Sequence, residues 1–515
     1  MINEIKTELE KMNNLQETEN GGLGYKSTKN PLVDLNFRVA GMRNNITPED
    51  ICLFKDALEY DFEHTIKWLF MLRDVREGMG ERDTFRELFS EFSYLYPAHA
   101  IALVKVIAEY GRWDDVIEIA YDGSQAIKET CYKIIEKQLM SDASVVALKQ
   151  DGGISLLAKW MPSINASKTA RQRALEVISY LHMSKKEYRQ LLSVLRAKLD
   201  VTERKTCKNE WSEIDYNKVS SNANLRYKDA FLRYDRTRRE EYLRELANPN
   251  SNVKMNAKVL NPCEIWHKYM SIAGDLWYYS SSAAIKDEDA ALEAMWNNLK
   301  EVGETGNTLV VVDGSGSMTS TIGTGSITAL DISRSLGVYF AERTTGEFKN
   351  KFIEFSNRPK LLDLSGEKSL KDKINYMLKF RDCTNTNIAA VFRLVLNAAV
   401  NNHMTQDDMP DRILIISDME FDCIYDGNGT IFEVLTKEYE NAGFKMPRLV
   451  FWNVASRTNT IPVIENECGV ALISGFSQNL LKMVMSNEVD PYKVLIETLD
   501  SERYAQIGDI LQSVK

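Results

Sequence analysis

One stretch constrains the fold of this chain more than any other: Asn307-Thr308-Leu309-Val310-Val311-Val312-Asp313-Gly314-Ser315-Gly316-Ser317-Met318. Leu309 to Val312 is an unbroken, largely β-branched apolar run, which suits a strand buried on both faces in a parallel sheet. The chain then turns polar. Asp313, Ser315 and Ser317 alternate with small residues, so three oxygen-bearing side chains can converge at the carboxyl end of the strand, where open α/β sheets place ligands. Oxygen-only donors suit a hard divalent cation. A strand followed by a plain Gly/Ser turn fits the same residues. A phosphate loop does not, because no Gly-Lys-Ser/Thr follows, and no Gly-x-Ser-x-Gly nucleophile elbow can be drawn through either serine.

The pattern resembles the first loop of the metal-ion-dependent adhesion site of von Willebrand factor A domains, and that resemblance implies two further pieces downstream. Asp382-Cys383-Thr384-Asn385-Thr386-Asn387-Ile388 precedes a helix, Ala389 to Val400. Thr386 matches the second-loop ligand, with Thr384 as the competing candidate. Arg412-Ile413-Leu414-Ile415-Ile416-Ser417-Asp418 is a second buried strand that ends in an aspartate. By the resemblance, Ser315 and Ser317 bind Mg2+, or another hard divalent cation, directly. Thr386 binds directly or through water, and Asp313 and Asp418 act through water. So few anionic ligands leave a cation able to attract an outside carboxylate or phosphate. No general base or nucleophile stands beside the motif, so binding is the expected chemistry and the chain is expected not to be an enzyme.

Further strand-like runs at 351–356, 360–364, 448–454 and 470–473 make up a six-stranded, doubly wound, mostly parallel sheet, with helices at 327–343 and along the tail 478–511. This α/β domain is expected over 301–515. At 515 residues the chain is too long for one ordinary core. Residues 1–30 are polar and read as a flexible lead-in. Residues 31–300 read as helices of about ten to fifteen residues at apolar spacings of three and four, an irregular HEAT-like solenoid without a clean repeat. Thr47-Pro48-Glu49-Asp50 opens one helix with a capping box, and Ser184-Lys185-Lys186-Glu187 opens another. The charged turns 73–83 and 110–115 read as interhelical junctions fixed by ion pairs.

Between Lys185 and Arg244 stand sixteen Lys/Arg against ten Asp/Glu, a local reversal in a chain of net charge -10. Lys185, Lys186, Arg189, Arg196 and Lys198 lie off the apolar stripe of their helix. Arg226, Lys228, Arg233, Arg236, Arg238 and Arg239 interleave with Tyr227, Phe231, Tyr234 and Tyr242. Such mixtures suit RNA, guanidinium on phosphate and aromatic faces on unpaired bases. The aromatics at helical spacing fit a core equally well.

Helices followed by a von Willebrand A domain resemble the Ro autoantigen architecture, in which TROVE helical repeats bind small noncoding RNAs. A closer likeness is to an uncharacterised vWA-containing family, carried by Lys67-Trp68-Leu69-Phe70 to Arg82-Asp83, by Tyr110 to Asp115 and by Leu225-Arg226-Tyr227-Lys228. The resemblance implies a noncatalytic protein that binds small or structured noncoding RNA, its A domain serving ring closure or partner docking. The alternative is a scaffold whose metal site captures an acidic residue of a protein partner without RNA. The seven cysteines are dispersed and the start is polar. Reduced thiols, a cytoplasmic location and no membrane partner are therefore expected.

Overall fold

The computed structural model describes Lys6, Leu9 and residues 12–43, 45–150, 152–248, 250–273, 284–301, 303, 305–322, 325–380, 385–422, 431–462, 470–486 and 490–514. Two compact units emerge: residues 1–68 with 260–501, and residues 69–259 with 502–515.

The first unit is built on a six-stranded sheet. A short antiparallel hairpin precedes it, β1 (Leu15–Glu17) with β2 (Leu23–Tyr25). The sheet strands are β3 (Thr308–Asp313), β4 (Lys351–Phe355), β5 (Lys360–Asp363), β6 (Arg412–Ser417), β7 (Arg448–Asn453) and β8 (Val470–Ser474), in the order β5-β4-β3-β6-β7-β8. Every neighbouring pair is parallel except β4 with β5. The central strands β3 and β6 are buried at every residue, as their continuous apolar runs dictate. Val311 lies in register with Ile353 on one side and Ile415 on the other, so Asp313 and Ser417 reach the same edge. The helix Ala329–Ala341 follows β3 and is buried along its whole length, opened by a reciprocal capping box between Thr328 and Asp331.

Other helices complete this unit. Pro31–Phe37 lies against the sheet: Asn36 donates to the Leu472 carbonyl at 3.3 Å, and Asn453 donates to the Phe37 carbonyl at 2.8 Å. Val33 and Phe37 enter the apolar core with Val311, Ile415 and Phe451. Pro262–Ala273 meets the first turn of Ala329–Ala341, where the His267 ring lies 2.9 Å from Asp331.

The second unit, taken by itself, is helical. Asp83–Leu95, Pro97–Leu103, Trp113–Asp122, Gln125–Ala147, Lys168–Tyr180, Lys185–Leu199, Ser221–Tyr234 and Arg236–Leu246 are its main helices, and Glu502–Ser513 belongs to it. Ser184 and Glu187 form the expected capping box. The charged turns are ion-paired junctions. Arg73 meets Asp115 at 2.7 Å with both side chains buried, Arg86 reaches the same carboxylate, and Arg503 pairs with Asp74 at 2.7 Å.

Two expectations about organisation differ from this structure. The first is the partition into 31–300 and 301–515. Residues 31–68 and 260–300 pack with the sheet, while 502–514 pack with the helices. A change from helical to strand-like pattern marks where the local structure changes, and the packing partner of a helix need not change there. The second is the loose lead-in. Residues 15–25 form a hairpin because its groups find partners: Tyr25 and Ile461 exchange two hydrogen bonds of 2.8 Å, and the Thr18 hydroxyl donates to the Phe421 carbonyl at 2.7 Å. No apolar periodicity announces such pairing. Thr384, with the start of the expected second-loop stretch at 382–384, and residues 274–283 of the expected helical region lie outside the described residues.

Candidate functional site

Four of the five expected metal ligands are tied together at the carboxyl ends of β3 and β6. Asp313 is the last residue of β3 and fully buried. One of its carboxylate oxygens accepts the Ser315 backbone N–H at 2.9 Å, and the other accepts the Ser417 hydroxyl at 2.5 Å. Gly314 lets the chain turn here: a Cβ at that position would lie 2.9 Å from the Glu354 carboxylate. That carboxylate is held by Arg334 through two hydrogen bonds of 3.0 and 2.7 Å. The Ser315 and Ser317 hydroxyl oxygens are 3.0 Å apart, and Ser317 also hydrogen-bonds Asp418.

Asp313 and Asp418 sense each other electrostatically. Burial, followed by repulsion from Asp418, pushes the Asp313 carboxyl up to about 7. Burial also raises Asp418, against the hydrogen bond from Ser317. Two buried carboxylates facing hydroxyl oxygens make an electronegative pocket, which Arg457 offsets only from its Asp418 side. This donor set, entirely oxygen and including two neutral hydroxyls, fits magnesium or a similar hard cation.

Thr386 stands at the same edge. It is buried, its N–H donates to the Asp422 carboxylate at 3.1 Å, and Asn387 beside it donates to the carbonyl of Ser356 just after β4.

The hairpin turn reaches this edge as well. The Asn20 amide donates to the Thr386 hydroxyl at 3.2 Å and to the Glu420 carbonyl at 2.5 Å. Gly22 allows the approach, since a Cβ there would meet the Phe421 carbonyl oxygen at 2.4 Å. Glu420 is buried and accepts from the backbone of Glu19, Arg457 and Thr458, so one carboxylate fastens both the hairpin and the 457–458 loop. Met419, between the two acids, has φ 65°, a left-handed conformation that turns Asp418 and Glu420 off the end of β6. Arg457 completes the rim, 2.5 Å from Glu19 and 3.5 Å from Asp418.

The eleven basic residues expected to meet RNA divide in two. Lys185, Lys186, Arg189, Lys198, Arg226, Arg233 and Arg236 are exposed. The other four are tied to neighbours within the fold, Lys228 and Arg239 buried and Arg196 and Arg238 part-exposed. Arg196 donates to the carbonyls of Ala158 and Met161 and to the Ser163 hydroxyl. Lys228 is buried against Asp229 at 2.7 Å. Arg238 donates to Asp235 and to the Ile214 carbonyl, both within 2.8 Å. Arg239 is fully buried among Tyr216, Phe231 and Tyr242, its guanidinium carbon 4.9 to 5.2 Å from their ring centres. The aromatics that suggested base stacking make an internal cage for this arginine.

Among known families, the model described as Domain of unknown function (DUF2828) matches residues 18–133 and 165–307, half of the chain. The chain belongs to the DUF2828 family. A second model, Domain of unknown function (DUF7788), matches residues 307–506, so the border between the two falls at the start of β3. This DUF2828 chain is also similar to Uncharacterized protein L728 of Acanthamoeba polyphaga mimivirus, 28% identical over 527 residues that cover 95% of this chain and 88% of that protein.

Sequence reasoning on this DUF2828 protein missed Ser417, Glu420, Asn20 and Arg457. Ser417 and Glu420 flank Asp418, and two oxygen-bearing neighbours of a strand-end aspartate were a usable signal. Asn20 and Arg457 carry none, because only the fold brings them there. Among the described residues no helix is long and apolar enough to cross a membrane.

Proposed function

We propose that the sheet-bearing unit is a von Willebrand factor A-like docking module that holds an acidic group of a partner protein through a divalent cation, without catalysis. The observation that supports this most is the pairing of two hydroxyls 3.0 Å apart, Ser315 and Ser317, with the interacting buried carboxylates Asp313 and Asp418 at adjacent strand ends. Asp313, Ser315, Ser317, Thr386 and Asp418 would hold the ion. When bound, a hard divalent cation with few anionic ligands supplies a Lewis-acidic position for an outside oxygen anion. Ser417 and the Ser315 N–H orient Asp313, and Ser317 orients Asp418. Arg457 adds positive charge at the rim, where Glu19 already stands as an acidic group of the chain itself. An acidic partner would compete with Glu19 for this rim. Calorimetric titration of the purified protein with magnesium tests the reading: one saturable site is expected, lost in the Ser315→Ala/Ser317→Ala variant, and equal binding by the variant would exclude it.

A second reading, a Ro-like role in which HEAT-like helices bind noncoding RNA, is favoured by the seven exposed basic side chains. Phosphate contacts make binding fall steeply with salt. Replacing Arg226, Arg233 and Arg236 by Ala should weaken binding of a structured RNA and flatten that salt dependence. Absence of any mobility shift at low salt would end this reading.

A further inference from the structure

A separate feature of the helical unit points to a ligand that the metal site does not need. The loop after Trp160, one face of the helix Lys185–Leu199 and the start of the next helix enclose a hollow of about 360 Å³. Among the described residues its polar lining includes Ser163, Asn165, Arg189, Ser193, Arg196 and Arg204, and no Asp or Glu. Arg189, Ser193 and Arg196 follow at helical spacing and so share one face. Arg204 comes from the neighbouring element.

Among the described residues no carboxylate pairs with these three arginines. Arg196 donates from all three of its side-chain nitrogens, yet only to neutral oxygens: Ala158 O at 2.8 Å, Ser163 Oγ at 3.0 Å and Met161 O at 2.7 Å. Arg189 donates to the Lys185 carbonyl at 3.2 Å. The acids nearest in sequence are engaged elsewhere: Glu187 accepts the Ser184 N–H at 2.7 Å, Asp200 pairs with Lys205 at 2.8 Å and Glu203 with Lys159 at 3.0 Å. Three other arginines of this unit are matched to carboxylates, Arg73 and Arg86 to Asp115 and Arg173 to Glu118. Burial lowers the Arg196 pKa, and only the weak influence of Tyr188 opposes it. A guanidinium withdrawn from water among neutral dipoles is costly unless an anion arrives.

The wall is rigid where it counts. Arg196 and the Tyr188 hydroxyl, which donates to the Pro162 carbonyl at 2.8 Å, fix the 158–163 loop to the helix. The Ser163 hydroxyl accepts from Arg196, so its own proton is directed elsewhere and can be donated to a ligand. Guanidinium forks with a hydroxyl donor match phosphate oxygens. The volume admits a phosphate and the sugar-sized group attached to it.

We propose that this hollow binds a phosphate group, with Arg189, Arg196, Arg204 and Ser163 as its donors. The phosphate comes either from a nucleic-acid strand or from a small free phosphate compound. This proposal is independent of the metal-dependent docking reading, and of the RNA reading it supplies at most one contact.

Inorganic pyrophosphate is the probe, titrated calorimetrically into the full-length protein in EDTA so that no divalent ion bridges it to the strand-end site. Saturable binding is expected. The exposed-side variant Arg189→Glu should weaken it at least about tenfold, as should Arg189→Ala combined with Arg204→Ala. Both variants should keep the wild-type circular dichroism spectrum and melting temperature, because neither touches the Arg196 contacts. A competing 5′-phosphorylated single-stranded RNA decamer separates the sources: displacement of pyrophosphate assigns the site to nucleic acid, and absence of displacement assigns it to a small phosphate compound. No saturable binding of pyrophosphate, or equal binding by the folded variants, overturns the proposal.

Discussion

The amide of Asn20 lies 3.2 Å from the hydroxyl of Thr386, across 366 residues of sequence. A turn near the amino terminus thereby covers one of the five residues proposed to hold a cation. The same amide grips the Glu420 carbonyl, so the cover is fastened to the strand end that carries Asp418. A cation held by the Thr386 hydroxyl would compete with this hydrogen bond for its lone pairs.

Asn20→Ala should therefore raise magnesium affinity. One neutral hydrogen bond contributes about 1 kcal/mol, so a gain of about fivefold is expected. Titration calorimetry reads it directly. A loss of affinity would instead make Asn20 part of the ligand set.

The buried pair Arg73 and Asp115 should be among the most sensitive positions of the helical unit. Asp115 also accepts from Arg86 and from the backbone N–H of Arg112. Asp115→Ala leaves a buried guanidinium unpaired, and breaking such a pair costs about 3–5 kcal/mol. Denaturant unfolding followed by circular dichroism should show an early transition in this variant, with the sheet-bearing unit unfolding where it does in the wild type.

Arg239 and Arg236 should behave oppositely although only three residues separate them. Arg239→Ala empties an aromatic cage and removes desolvated cation–π contacts of about 2 kcal/mol. Arg236→Ala removes an exposed charge and should leave the melting temperature within about a degree. Thermal melts of the two variants distinguish an internal strut from a surface cation. Loss of RNA binding by Arg239→Ala would accordingly have to be read beside its folding.

His64 sits between Asp61, at 2.8 Å, and Asp500, at 3.1 Å. The hydrogen bond to Asp61 raises the His64 pKa, opposed by burial. For a raised folded-state pKa, the stabilisation is fully present below the unfolded value and fades as pH climbs through the folded one. Asp61 and Asp500 are lowered despite burial, by their bonds to His64 and Tyr492 and to Lys67 and His64, so their contribution fades as pH falls through their folded values. The cluster should stabilise most at weakly acidic pH, with both flanks flattened in His64→Gln. Melting temperature against pH provides the measurement, and an unchanged profile would remove His64 from the account.

What could be read before folding followed from chemistry local to the chain. Leu309 to Val312 and Ile413 to Ile416 are continuous apolar runs, and such runs have few alternatives to a central parallel strand. Asp313, Ser315 and Ser317 lie within five residues, so their convergence needs only a turn. Asn20, Glu420 and Arg457 were illegible as a group because long-range backbone pairing brings them together, and pairing of polar strands has no side-chain signature. The basic helices misled for a related reason. Composition counts Arg239 as a charge, but a guanidinium surrounded by Tyr216, Phe231 and Tyr242 is hidden by residues that read equally well as a core or as a stacking surface.

The strand-end cation site is the central claim, and Asp313→Ala tests it most directly. Asp313 is buried, and Asp418 repels it. Its removal should therefore leave the cation-free melting temperature equal to or above that of the wild type. Magnesium titration should show one site in the wild type and at least a hundredfold weaker binding in the variant, a difference of about 2.7 kcal/mol. Undiminished magnesium affinity in a folded Asp313→Ala protein would contradict the account.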